Sequence, residues 1–188
     1  LRLPNGDTGI MKLLIQLIGL VVLLFVVALA TIRFEHRNAD GASILFPGGE
    51  LVSGELYRGP EPDWRFTDEI YTIELQLFNP VNSRRIWIIE SEGKVYVVSG
   101  YMNSFLGRLW KEWAIQADSG DGRAVVRING VRYERRLRRI ESGPELAGVA
   151  AKLESKYGSA NALAEIQSGS TWVFELRPVE SVIFAQGD

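Results

Sequence analysis

The chain has 188 residues, 21 basic against 23 acidic side chains and a formal net charge of −2, so no bulk positive field draws it to nucleic acid. It has no cysteine and a single histidine, which excludes disulfides, thiolate metal sites and cysteine nucleophiles. The same scarcity leaves almost no material for an all-protein zinc or iron centre or for a histidine-dependent catalytic triad.

Between Lys12 and Arg33 runs LLIQLIGLVVLLFVVALATI, without one charged residue. At about 1.5 Å rise per residue, such a run makes roughly 30 Å of helix, the thickness of a bilayer's hydrocarbon core. Residues 13–32 are therefore predicted as a transmembrane helix behind a tail at 1–12. Ala28-Leu29-Ala30 has the small-x-small spacing of a cleaved signal peptide, the other reading of the same run. The expectation carried forward is an uncleaved single-span anchor. Met11 reads as a natural start, which makes the preceding ten residues upstream translation. Arg2 and Lys12 before the span balance Arg33 and Arg37 after it, so loop charge does not orient it. Its signal-like character points the soluble domain to the periplasmic side.

Residues 33–66 are rich in Gly, Pro and charge and read as a linker and lead-in that settles onto the domain. Phe46, Trp64 and Phe66 are expected to pack it down. Ile70–Phe78, Arg85–Glu90 and Lys94–Val98 are β-branched and aromatic runs of strand length, the last two joined by a tight hairpin at Ser91-Glu92-Gly93. In RIWIIE, Ile86 and Ile88 alternate with Trp87 and Ile89. Both faces are apolar, which predicts a strand covered on both sides.

Asn129-Gly130 predicts a two-residue type I′ turn. That turn sets RAVVRI against VRYERRL with Ile128 opposite Val131, Arg127 opposite Arg132, Val126 opposite Tyr133 and Arg123 opposite Arg136. Ala124, Val126, Ile128, Val131, Tyr133 and Leu137 then face a core. Arg123, Arg127, Arg132, Glu134, Arg136 and Arg138 face away, with Val125 their one apolar companion. Arg135 falls on the core side and is expected to reach out past the rim. Gly143–Gly158 has helical spacing with a glycine to cap it, NALAEIQ is a second short helix, and TWVFELRPV is a last strand ended by Pro178. Strands followed by strands, with one helical insertion, predict an antiparallel barrel rather than alternating βαβ units.

These residues carry a resemblance. GGELVSGELYRGPEPDWRF, WIIESEGKVYVVSG, KEW, the RAVVRINGVRYERRL hairpin, KYG and WVFELRP stand in an order that resembles the split β-barrel superfamily of flavin-binding proteins. That group includes pyridoxamine-phosphate-oxidase-like proteins and deazaflavin-dependent nitroreductases. The resemblance implies a mainly β fold with added helix: an antiparallel split β-barrel, preceded here by a single transmembrane helix, with the barrel domain at 67–188. It also implies a place for FMN or deazaflavin. Ser99 and Gly100 match the strand end that meets the isoalloxazine ring, Lys111 and Arg108 the basic residues that meet phosphate, and Trp113 the packing beneath. The stretch YMNSFLGRLW, inserted between Gly100 and Lys111, departs from the family pattern and fills such a pocket as readily as it frames one. The expectation is therefore no bound cofactor, with FMN or deazaflavin the alternative that the resemblance allows.

The arginine face has two readings: a docking surface for lipid phosphates or an acidic partner, or a solvated outer barrel face. With Glu134 its only internal counterion, the face predicts docking by Arg123, Arg127, Arg132, Arg136 and Arg138. Reversing Arg127 and Arg132 to Glu is then expected to leave the melting temperature nearly unchanged. His36 reads as an interfacial histidine and Asp118–Gly122 as a turn. Two functions follow: an accessory subunit of a larger membrane complex, bound to lipid and to other subunits, or a membrane-anchored flavin- or deazaflavin-dependent oxidoreductase. Bound flavin separates them.

Overall fold

The computed structural model describes residues 6–43 and 46–179. The start of the tail at 1–12 and the end of the domain at 67–188 lie outside those residues.

Helix α1 spans Gly6–His36, longer at both ends than the uncharged run. Its mean hydropathy reaches 3.0 and no part of its most apolar window is buried, so it is long and apolar enough to cross a membrane. The polar Thr31 hydroxyl is satisfied within the helix, donating to the Val27 carbonyl at 2.9 Å. The four residues past the predicted span carry Arg33 and His36, the only basic residues of the last turn.

The domain is a closed antiparallel barrel of six strands with a seventh short strand on its edge. The strands are β1 (Glu55–Leu56), β2 (Thr72–Phe78), β3 (Val81–Ser91), β4 (Lys94–Ser99), β5 (Arg123–Ile128), β6 (Val131–Ile140) and β7 (Trp172–Pro178). Spatial order is β1-β6-β5-β2-β3-β4-β7, and pairing of β7 back onto β6 closes the ring. The ten-residue β6 makes closure possible. Val131–Arg136 pairs with β5, while Arg135–Ile140 pairs with β7. The edge of β6 that β7 leaves bare is covered by β1, parallel to Val131 and Arg132, which removes an open edge.

The β5–β6 register follows the Asn129-Gly130 turn as the sequence predicts, with Asn129 and Gly130 both at positive φ (50° and 79°). Alternation then separates two cores. Ile73, Leu75, Ile88, Val97, Val126 and Phe174 fill the barrel. Ile89, Tyr96, Val98, Ile140 and Val173, on the outside of their strands, are buried under helices α4 (Glu145–Tyr157) and α5 (Ala162–Gln167). This is why β3 reads as apolar on both faces. Trp87 is the exception on β3. It stays 42% exposed and stacks on Tyr157 with ring centroids 4.4 Å apart. Gly158, at φ 68°, ends α4 as a left-handed cap.

Residues 105–119, to which the sequence pattern assigned no element, form two short helices, α2 (Phe105–Trp110) and α3 (Glu112–Ser119). One sequence expectation changes here. Arg135 does not reach past the rim. It is 5% exposed, lies 4.8 Å over the Trp64 ring and donates to Glu61 at 3.0 Å. The lead-in roofs over it, because the 3-10 helix Trp64–Glu69 inserts Trp64 into the barrel end at 1% exposure.

Candidate binding site

Charged side chains gather on the arginine face and in a cavity between the barrel and helix α1.

The arginine face is largely consumed within the chain. The lead-in crosses the outer side of β2, β5 and β6, where Leu51 is 1% exposed and donates its N–H to the Gln76 side chain at 2.8 Å. Arg127, predicted to face solvent, lies under this strap. Its Nε donates to Glu74 at 2.7 Å, and its Nη1 donates to Asp40 and to the Ser53 hydroxyl, each at 2.7 Å. Its side chain keeps 11% of its surface exposed. Arg132 donates to the carbonyls of Gly54 at 3.0 Å and Leu51 at 2.9 Å. Asp40 also accepts the N–H groups of Val52 and Ser53. The Ser53 hydroxyl, the Arg127 guanidinium and these two amides hold the Asp40 carboxyl well below the usual carboxylate range. Gly41, at φ 90°, is required there. A Cβ at that position would run into the Glu74 carboxylate and the Arg127 guanidinium.

The face is thus not short of counterions, because Glu74 and Asp40 were not counted on it. Glu74 stands directly opposite Arg127 across the β2–β5 ladder, and Asp40 arrives from the far end of the linker. Of the five arginines named for docking, Arg123, Arg136 and Arg138 remain exposed. Arg123 lies over the Phe78 ring at 5.1 Å.

The cavity has a volume of about 750 Å³, within the usual range for small-molecule sites. Arg33 of α1 lines it together with Phe46 and Pro47 of the lead-in. Arg84, Arg85 and Trp87 of β3 line it too, with Gly100, Tyr101, Leu109, Lys111 and Trp113 from the β4–α3 segment. The α4–α5 connection closes it with Ser159 and Ala160, next to Thr171. Four cations (Arg33, Arg84, Arg85 and Lys111) share the wall with two carboxylates, Glu112 and Glu165.

Arg84 and Lys111 are the unusual pair. β3 carries Arg84 inward beside Trp113, whose ring lies 5.9 Å from the guanidinium. Trp113 is 2% exposed and anchors α3 in the barrel. Arg84 donates to the Asn82 side chain at 2.8 Å, yet its Nε is buried without a partner. Burial pulls the Arg84 guanidinium down to about 10. Burial also lowers Lys111, and Arg84 beside it lowers it further. Among the described residues no ion pair ties Arg33, Arg84, Arg85 or Lys111 to a carboxylate. Glu112 offsets part of the Arg84 charge from a distance, but two desolvated like charges without a direct ion pair remain costly.

Of the residues that the flavin resemblance assigned, the cavity brings together Gly100, Lys111 and Trp113. Arg108 is exposed and does not line it. Ser99 is fully buried, its hydroxyl 3.3 Å from the Met102 sulfur and its backbone in register with Trp172. Arg33, Arg84 and Arg85 were not among the expected site residues. Arg84 and Arg85 sit in the chain as two ordinary charges at a strand start, and only the fold brings them beside Lys111. His36 packs 6.0 Å from the Phe46 ring, and no group of three metal-ligating side chains occurs among the described residues.

No protein-family model and no curated protein matches the chain. Among solved structures, it is similar to the conserved hypothetical protein Rv2991 from Mycobacterium tuberculosis, at 12% identity and a TM-score of 0.40, over 60% of this chain and 76% of that one. The barrel described above rests on its own strand register.

Proposed function

We propose that the chain is a membrane-anchored barrel domain that binds an anionic small molecule in the cavity, with Arg84 and Lys111 facing its negative charge. One observation carries this reading: Arg84 and Lys111 are desolvated side by side on the cavity wall, and neither makes an ion pair with a carboxylate among the described residues. A phosphate or carboxylate bound there would offset the like-charge cost.

The phosphate end of FMN or deazaflavin suits this wall. At the ring end, of the two residues that the resemblance assigned, Gly100 lines the cavity and Ser99 does not. The test is isothermal titration of the detergent-solubilised full chain with inorganic phosphate and with FMN, alongside its absorbance near 450 and 400 nm. Binding that Lys111→Gln weakens by about tenfold, the worth of one charge-assisted contact, supports the cavity. Equal binding by the variant, or none by either protein, overturns it. A flavin or deazaflavin band would extend the reading to an oxidoreductase.

A second reading, an accessory subunit of a membrane complex, is favoured by α1, which has no buried face of its own, and by the exposed Arg136 and Arg138. Salt-sensitive retention in a complex that Arg136→Glu and Arg138→Glu weaken would support it; salt-insensitive retention would remove it.

A further inference from the structure

The cavity wall joins the half-buried cations Arg84 and Lys111 to exposed apolar side chains. Tyr101 and Leu109 line it while remaining 75% and 67% exposed. Phe105, also 75% exposed, stands four residues before Leu109 on α2 and so shares its face. Trp87 adds an indole at 42% exposure to the same lining. Tyr101 is held at φ 65°, a left-handed conformation that a bulky side chain adopts only under constraint. Large apolar groups this exposed and this close together mark a contact surface.

Arg33 identifies what that surface meets. It lies in the last turn of α1, directly after the uncharged run, where a spanning helix leaves hydrocarbon and reaches lipid headgroups. It lines the same cavity as Tyr101 and Leu109. The barrel has little slack to move away from that level. α1 ends at His36, and Asp40, four residues on, is already fixed to Arg127 of the barrel wall. Four residues span at most about 14 Å even when fully extended. The mouth of the cavity is therefore held at the membrane interface, with aromatic and aliphatic side chains where such groups are favoured.

Resting on the cavity reading above, we infer that the ligand is the phosphate-bearing head of an anionic membrane lipid, admitted from the bilayer past Tyr101 and Leu109 to Arg84 and Lys111. The cavity volume of about 750 Å³ suits a headgroup-sized ligand, and the acyl chains stay against the rim and α1. The apolar rim explains what a site for a water-soluble phosphate would not need.

The test uses the full chain in nanodiscs of phosphatidylcholine, with and without phosphatidylglycerol, released into native mass spectrometry to count retained lipid. One phosphatidylglycerol per chain is expected, preferred over phosphatidylcholine by about tenfold or more. Lys111→Gln should remove that preference. Leu109→Asp should lower retention, as should Tyr101→Asn, whose side chain suits the left-handed backbone and keeps the fold. Glycerol 3-phosphate and inorganic phosphate added from water should displace the lipid only in large excess. If soluble phosphate binds in a Lys111-dependent way but no lipid is retained, the lipid inference falls and the cavity reading stands. If neither binds, both fall. If all three variants retain phosphatidylglycerol like the parent, the lipid sits elsewhere on α1 and the inference is overturned.

Discussion

Replacing Arg127 with Gln tests how the strap and the barrel are held together. The guanidinium, 11% exposed, bridges Glu74 and Asp40, whose side chains are 23% and 31% exposed, and holds the Ser53 hydroxyl. Removing one partner from a fully buried ion pair costs about 3–5 kcal/mol. Here both carboxylates keep partial access to water, and Asp40 retains the N–H groups of Val52 and Ser53. Those facts reduce the loss to about 2–3 kcal/mol, in the range of two charge-assisted hydrogen bonds. For a domain of this size each kcal/mol shifts Tm by roughly 2–4 °C, so Arg127→Gln should lower it by about 4–12 °C. Arg136→Gln on the same barrel face is exposed and should stay within about 0.5 kcal/mol. Thermal unfolding of the full chain in detergent, followed by tryptophan fluorescence, reads the barrel without the signal of α1, which has no tryptophan. Limited proteolysis between residues 37 and 63 should quicken in the Arg127 variant. The reasoning is refuted if the two variants melt together, since a face free for docking predicts that outcome and a clamped strap does not.

Asp40 gives the same clamp a pH signature. Its carboxyl is held below its ordinary 3.8, so the stability that it contributes is complete above that pH and drains away as pH falls further. Asp40→Asn should therefore melt lower than the parent at pH 7 and converge toward it in acid, as read by thermal melts from pH 7 down to pH 3. Tyr157→Phe removes a hydroxyl that accepts the Ile88 N–H at 3.1 Å and sits within 2.7–2.8 Å of the Ile88 and Tyr71 carbonyls. It should cost about 1–2 kcal/mol by denaturant unfolding, with the Trp87 stack preserved. Gly158→Ala meets no atom within 4 Å but must hold φ 68°, so about 1 kcal/mol is expected from conformation alone.

The membrane-length helix was legible because a run of apolar residues has no other inexpensive environment. The hairpin register was legible because a two-residue turn leaves one alignment, and period-two alternation marks the inner side. Both depend only on near neighbours in the chain. The same alternation placed Arg127 and Arg132 on the outer face but said nothing of what lies across it. Asp40 is 87 residues away from Arg127, and Glu74 meets it only through the β2–β5 ladder. The two short helices at 105–119 left no mark in the sequence pattern because runs this short show little periodicity. Gly100, Lys111 and Trp113 came from resemblance, whereas Arg33, Arg84 and Arg85 join them only when β3, the insert and the end of α1 fold around one space. Local pattern settles which way a side chain faces. Whether its charge meets water, a carboxylate or a cavity depends on segments far away in sequence, and closure of the barrel decides it.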